Sequence, residues 1–83
     1  MWFTYILLCQ DGSFYTGSTN KVEARFRDHV AGRGARYTVS HKPLRIVYKE
    51  GFSSKPEALK REAEIKGWSK ARKREMIQGI SHS

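Results

Sequence analysis

At 83 residues, with 16 Lys and Arg against 8 Asp and Glu, the chain carries a formal net charge of +8. So short a chain has room for one domain with a modest core. Its single cysteine, Cys9, excludes an internal disulfide and a cysteine-rich zinc site, and no apolar run approaches the ~20 residues that a membrane crossing needs. The positive charge favours an anionic partner. Nucleic acid comes ahead of a membrane surface, because the basic residues are spread over several elements rather than along one amphipathic helix. The plainer alternative is a charge kept for solubility. The run Trp2 to Cys9 has neither the basic flank nor the cleavage site of a signal peptide, so a cytoplasmic protein is expected.

Trp2 to Cys9 is apolar, with aromatic and β-branched members, and predicts a strand. Asp11-Gly12 signals a hairpin turn, with Ser13 to Ser18 returning. Thr19 or Asn20 can cap a helix from about Lys21 to Ala31; Asn20 with Glu23 has capping-box spacing, and the buried stripe is Val22, Phe26 and Val30. Gly32-Arg33-Gly34 ends it, since glycine takes the left-handed C-cap conformation readily. Ala35 to Lys42 reads as a polar, basic loop with room for a short helical turn. Leu44 to Phe52 predicts a third strand, with Ile46 and Tyr48 on one face and Arg45, Val47 and Lys49 on the other. Ser53 or Ser54 caps the next helix, which runs through Pro56 and Glu57 to Lys66. Gly67 breaks it, and Ser69 caps a last helix to Gln78, with Met76, Ile77 and Ile80 as its apolar side. Residues 81–83 are expected to fray. The order ββαβαα predicts an α/β (α+β) domain over residues 1–80, a three-stranded, mainly antiparallel sheet flanked by helices.

Glu62 is the least expected residue for its place. Ala58, Leu59, Ala63 and Ile65 define an apolar arc, and at helical spacing Glu62 projects near its middle. A carboxylate there is costly unless it is paired or binds a cation. The alternatives are an ion pair with an arginine, or a helix rotated to bring Glu62 to solvent. Arg25 and His29 lie one turn apart beside the Val22-Phe26-Val30 stripe, at the rim of a cleft or on a solvated basic face. Tyr5 and Tyr15 share a side of the sheet only if the hairpin closes through a three-residue loop with a bulge at Gly12, pairing Cys9 with Ser13 and Leu7 with Tyr15. A two-residue turn would place them on opposite faces. Together these groups are the parts for cutting a phosphodiester: a divalent cation on Glu62, an arginine on the non-bridging oxygens, and a tyrosine or histidine to deprotonate water.

The segments Phe3-Thr4-Tyr5 and Tyr15-Thr16-Gly17, then Arg25 and His29, then Glu57 to Glu62 occur in an order that resembles the GIY-YIG nuclease superfamily. The likeness runs from about Phe3 to Ile77. It is strongest to the small stand-alone bacterial members and extends to the nuclease domain of structure-selective endonucleases. The resemblance implies one Mg²⁺ or Mn²⁺ on Glu62, Arg25 on the scissile phosphate, and Tyr5 as general base with Tyr15 and His29 supporting it or sharing that role. The chain departs from the naming motif at Phe3, Thr4 and Thr16. It also lacks the asparagine that larger members carry after the metal glutamate, its only asparagine being Asn20.

Larger nucleases of this kind carry a separate DNA-binding module. Here grip is expected from Arg33, Arg36, Lys42 and Arg45 in the middle of the chain and Lys66, Lys70, Arg72, Lys73 and Arg74 near its end. These would contact phosphates without reading bases. Tyr37 is placed either to stack on an unpaired base or to pack internally. Two functional readings follow: an endonuclease selective for DNA structure such as branches or flaps, with a protein partner able to add specificity, or a nucleic-acid-binding or adaptor module that keeps the fold and cleaves little.

Overall fold

The middle strand of the protein, β1 (Trp2–Cys9), is flanked by β2 (Phe14–Thr19) and β3 (Pro43–Phe52), both antiparallel to it, in the order β2-β1-β3. The computed structural model describes residues 1–81. The described residues also form four helices: α1 (Val22–Val30), α2 (Arg36–Ser40), α3 (Lys55–Lys66) and α4 (Lys70–Ser81). The expected ββαβαα order holds, with the short α2 added in the segment read as a loop. Ser81, expected to begin a frayed tail, still belongs to α4. The expectations for the Ile80 side chain and for His82 and Ser83 lie outside the described residues. No helix among the described residues is long and apolar enough to cross a membrane.

Strand alternation sorts β1 into two cores. Tyr5 and Leu7 point to one face, where Val22 and Phe26 of α1 cover them. Ile6 points to the other, where it meets Tyr48, Ile65 of α3, and Met76 and Ile77 of α4. The result is three layers, with α1 on one face and α3 and α4 on the other. Cys9 is a buried free thiol that burial pushes up in pKa, the behaviour of a small core hydrophobe.

Four local expectations are corrected. Neither Thr19 nor Asn20 is the N-cap of α1: that place falls to Lys21, with no side-chain cap among the described residues, and Thr19 Oγ1 accepts from the Lys21 N–H just before the helix. Val30 is exposed and His29 is fully buried in its place, so the inward face of α1 is Val22, Phe26 and His29. On α3, Leu59 and Ala63 are exposed and the buried positions are Ala58 and Ile65. On β3, Ile46 pairs with Leu7 and Tyr48 with Ile6, leaving Val47 as an extra residue. That bulge sends Ile46 and Tyr48 to opposite cores, where strict alternation would have kept them together.

The helix starts follow their sequence signals more closely. The Ser54 hydroxyl accepts from the Glu57 N–H, and that of Ser69 accepts from the Arg72 N–H. One cluster pins β3, α3 and α4 together. Arg61 bonds Glu50 through Nε at 3.1 Å and lies over the Trp68 ring, with Arg72 also against that ring. Tyr48 donates to the same Glu50, and burial with that carboxylate pushes its phenol up to about 12.

Candidate active site

The hairpin turn decides where the tyrosines go. The Cys9 N–H donates to Ser13, the Gly12 N–H donates to Cys9, and Gly12 has φ +83°. This is the three-residue loop with glycine in the left-handed region, and Leu7 therefore pairs with Tyr15. Tyr5 and Tyr15 share a face, their ring centroids 6.3 Å apart. Gly17, which pairs with Tyr5, is needed as glycine: a β-carbon there would lie 2.6 Å from the Tyr5 hydroxyl and 3.0 Å from the Tyr15 ring.

α1 delivers His29 to the same place. The Tyr5 hydroxyl and His29 Nε2 are 2.9 Å apart, and the Tyr15 and His29 rings 5.0 Å. His29 is fully buried, and burial, reinforced by Arg25, lowers its pKa, so the ring is neutral at pH 7. Burial likewise raises the Tyr5 phenol far above its usual value; Tyr15 and Glu62 add to this, while the Arg25 guanidinium opposes it. Those influences bring Tyr15, Arg25 and Glu62 into one electrostatic neighbourhood around the Tyr5 hydroxyl. Tyr5 is therefore a phenol, not a free phenolate, in the resting protein.

Glu62 arrives from the opposite layer. Its side chain is 18% exposed, between the buried Ala58 and Ile65, and it pairs with Lys66 at 2.7 Å. The partner is thus a lysine one turn on; the neighbouring arginine, Arg61, is engaged by Glu50 and Glu64. The position of α3 is fixed by hydroxyls from two strands. Thr4 donates to the Ala58 carbonyl at 2.7 Å and Ser18 donates to it at 3.2 Å. This carbonyl lies one turn before Glu62, so the site-bearing turn of α3 is tied to β1 and β2 directly.

Among the described residues, no group of three or more His, Cys, Asp or Glu side chains is gathered to hold a metal. Among the described residues, Glu62 is the carboxylate whose charge acts on Tyr5. One carboxylate fits a divalent cation that keeps most of its waters and takes further ligands from a phosphate, rather than an ion caged by protein.

The expected nucleic-acid contacts divide. Lys66 and Lys73 lie close enough for Lys66 to lower the Lys73 pKa, after burial, and Lys66 touches Glu62, so these two border the site. Lys70 sits over Phe14 beside the hairpin turn. Arg72 lies over Trp68, and Arg74 is exposed on α4. Arg36 and Lys42 are exposed at and just beyond α2, Arg45 is exposed opposite Leu8, and Arg33 pairs with Asp28 at 3.5 Å. Tyr37 stacks on His41 at 4.1 Å and leans on Tyr15 at 5.9 Å while remaining exposed. His41 in turn bonds Asp11 at 2.7 Å; the Ser13 hydroxyl and N–H, and after them His41, hold the Asp11 carboxyl well below the usual range.

The order of these residues along the chain has counterparts elsewhere. A family model described as the GIY-YIG catalytic domain matches residues 1–75. The chain belongs to the GIY-YIG family. This GIY-YIG chain is 51% identical over 76 residues to a UPF0213 protein of Staphylococcus haemolyticus, covering 92% of this chain and 93% of the other. It is 46% identical over the same length to a UPF0213 protein of Staphylococcus aureus, with the same shares covered. Two solution NMR structures are similar in fold. A UPF0213 protein from Bacillus halodurans has 42% identity and a TM-score of 0.59, covering 94% of this chain and 84% of its own. A protein from E. faecalis has 35% identity and a TM-score of 0.63, covering 98% and 86%. GIY-YIG membership places the chain in a nuclease family that acts on nucleic acid and generally depends on a divalent metal.

Several residues that shape this GIY-YIG site carried no individual signal in the sequence. Thr38 bonds His29 Nδ1 from α2, in a stretch with no periodic pattern. Thr4 and Ser18 look like ordinary strand residues. Gly34 did leave a trace: Gly32, at φ +81°, already supplies the left-handed turn after α1, so a second glycine two residues later needed another reason.

Proposed function

We propose that the chain is a metal-dependent endonuclease that hydrolyses phosphodiester bonds in DNA, selective for structure rather than sequence, through Tyr5, Tyr15, Arg25, His29 and Glu62. The observation that carries this reading is the buried Tyr5–His29 hydrogen bond, made beside Arg25 and within electrostatic reach of Glu62. A neutral imidazole behind a phenol can take the phenol's proton as the phenol takes one from water. The water oxygen then bonds to phosphorus, the bond from phosphorus to the leaving oxygen breaks, and that oxygen takes a proton from solvent. Arg25 grips the non-bridging oxygens and steadies Tyr5 as its negative charge develops. The half-buried Tyr15 packs the His29 ring on its open side and orients the pair. Mg²⁺ or Mn²⁺ bound through Glu62 would stabilise charge on the phosphate and leaving oxygens.

Grip on the DNA comes from Lys66 and Lys73 beside the site, with Arg33, Arg36, Lys42, Arg45, Lys70, Arg72 and Arg74 extending it over phosphates. Such binding weakens steeply as salt rises. The test is a nicking assay on branched, flap and plain duplex DNA with Mg²⁺ or Mn²⁺. Cleavage that is lost in both Arg25→Ala and Glu62→Ala, with binding retained, supports the reading; cleavage indifferent to both changes removes it.

A second reading, a DNA-binding or adaptor module that cleaves little, is favoured by one observation. Tyr5 and His29 are both closed to solvent, and Glu62 is already engaged by Lys66. It predicts salt-sensitive DNA binding with no strand cut on any of these substrates.

A further inference from the structure

His29 has a seat that neither its own helix nor the tyrosines provide. On its far side, Nδ1 lies 2.7 Å from the Thr38 hydroxyl, and Thr38 is itself buried. That hydroxyl is already committed twice to one residue: it donates to the Ala35 carbonyl at 2.9 Å and accepts from the Ala35 N–H at 3.2 Å. The Ala35 carbonyl can only accept, so a hydroxyl that donates to it has only a lone pair left for His29. An imidazole bonded to a lone pair at Nδ1 must carry its hydrogen there. Nε2 is then bare and accepts from the Tyr5 hydroxyl.

Gly34 completes the seat. A β-carbon at this position would fall 2.1 Å from His29 Nδ1 and 2.6 Å from Cγ, and the ring has no room to retreat because Tyr15 packs against it. The absent side chain lets the backbone leading into α2 close directly on the imidazole.

We propose that Thr38 and Gly34 are positioning residues that lock His29 as the Nδ1–H tautomer, with Nε2 turned toward Tyr5 as a ready proton acceptor. This rests on the reading of Tyr5 and His29 as the base of a nuclease. The groups that face His29 are Tyr5 from β1, Tyr15 from β2 and Thr38 from α2, with Arg25 and Asp28 acting on it from its own helix. Among the described residues, Thr38 alone is hydrogen-bonded at Nδ1. In the opposite tautomer Nε2–H would donate to Tyr5, and the phenol would have no acceptor for its proton.

The experiment combines ¹⁵N NMR of the histidine rings with the pH dependence of DNA cleavage, in the wild type, Thr38→Val, Thr38→Ser and Gly34→Ala. The wild type should show His29 as Nδ1–H. Thr38→Val removes the lone pair and should populate Nε2–H, with kcat lowered about 10- to 100-fold, the range for losing a partner that orients a working histidine, and DNA affinity unchanged. Thr38→Ser should restore both tautomer and rate. Gly34→Ala should break the Tyr5–His29 bond, seen as a shifted Nε2 resonance. A wild-type His29 found as Nε2–H overturns the proposal, as does a Thr38→Val protein that keeps both tautomer and rate. If Thr38→Val does not fold, the wild-type tautomer and the Thr38→Ser rescue decide. If the wild type cuts no DNA, the nuclease reading fails, while the NMR still decides whether Thr38 holds the tautomer.

Discussion

The Tyr5 hydroxyl meets His29 Nε2 at 2.9 Å across a gap of 24 residues in sequence, with both side chains buried. Because His29 accepts the proton only when neutral, cleavage should fall with slope one as acid protonates it. Burial, then Arg25, keeps the His29 pKa below its ordinary 6.5, so the acid limb should lie below that pH with a plateau above. Single-turnover rates between pH 4.5 and 8 check this. In His29→Gln the limb should vanish along with most of the rate.

The same shift links folding to pH. The unfolded chain protonates His29 near 6.5, whereas the folded chain resists until lower pH. In that window the unfolded state binds more protons, so stability rises with pH. His29's contribution should be complete above about pH 6.5 and lost as pH falls through the folded-state pKa. Urea unfolding at pH 5 and 7.5 should show the difference, and His29→Gln should flatten it.

Thr16 stands where the family's second triplet has isoleucine, and its buried hydroxyl has no hydrogen-bond partner among the described residues. Replacing a buried, unpaired hydroxyl by a methyl of similar shape removes a desolvation cost. Thr16→Val should stabilise the protein by about 1 kcal/mol, raising Tm by about 4–8 °C in a domain of this size. Thermal unfolding tests it, and a lower Tm would show that the hydroxyl has a use.

Lys66 competes with any cation for the Glu62 carboxylate. A partly exposed pair of this kind contributes at most ~1 kcal/mol, equivalent to about a fivefold change in an equilibrium constant. Lys66→Met should therefore lower the half-saturating Mg²⁺ concentration for cleavage by up to about fivefold. It should also weaken DNA binding at a given salt, since a phosphate contact is lost. A metal titration with DNA held at saturation separates the two effects.

Much of this arrangement was legible because local chemistry leaves few options. Asp11-Gly12 marks the hairpin, and putting both tyrosines on one face demands the bulged loop that the Gly12 backbone adopts. Glu62 was visible as a charge in an apolar arc. What failed was the assumption that apolar residue type alone orients a helix or strand. His29 turned inward and Val30 outward because α2 brings a hydroxyl to Nδ1, a tertiary partner with no periodic trace. Val47 bulges without glycine or proline to announce it, and one extra residue re-sorted Ile46 and Tyr48. Thr38 acts through a single atom, and a single atom has no pattern.

The Ala58 carbonyl, held by Thr4 and Ser18, has a consequence for safety as well as for geometry. The hydroxyl-and-imidazole half of the site lies under one face of the sheet, and the helix that carries the carboxylate half packs on the other. They are brought into register by two small polar side chains. Neither half is a cutting device alone. If α3 lifts from the sheet, by damage, heat or the grip of another protein, the carboxylate leaves while Tyr5 and His29 remain paired. On the proposed reading, an enzyme built this way fails silent: if the helix that carries the carboxylate leaves the sheet, the half that remains has no metal ligand.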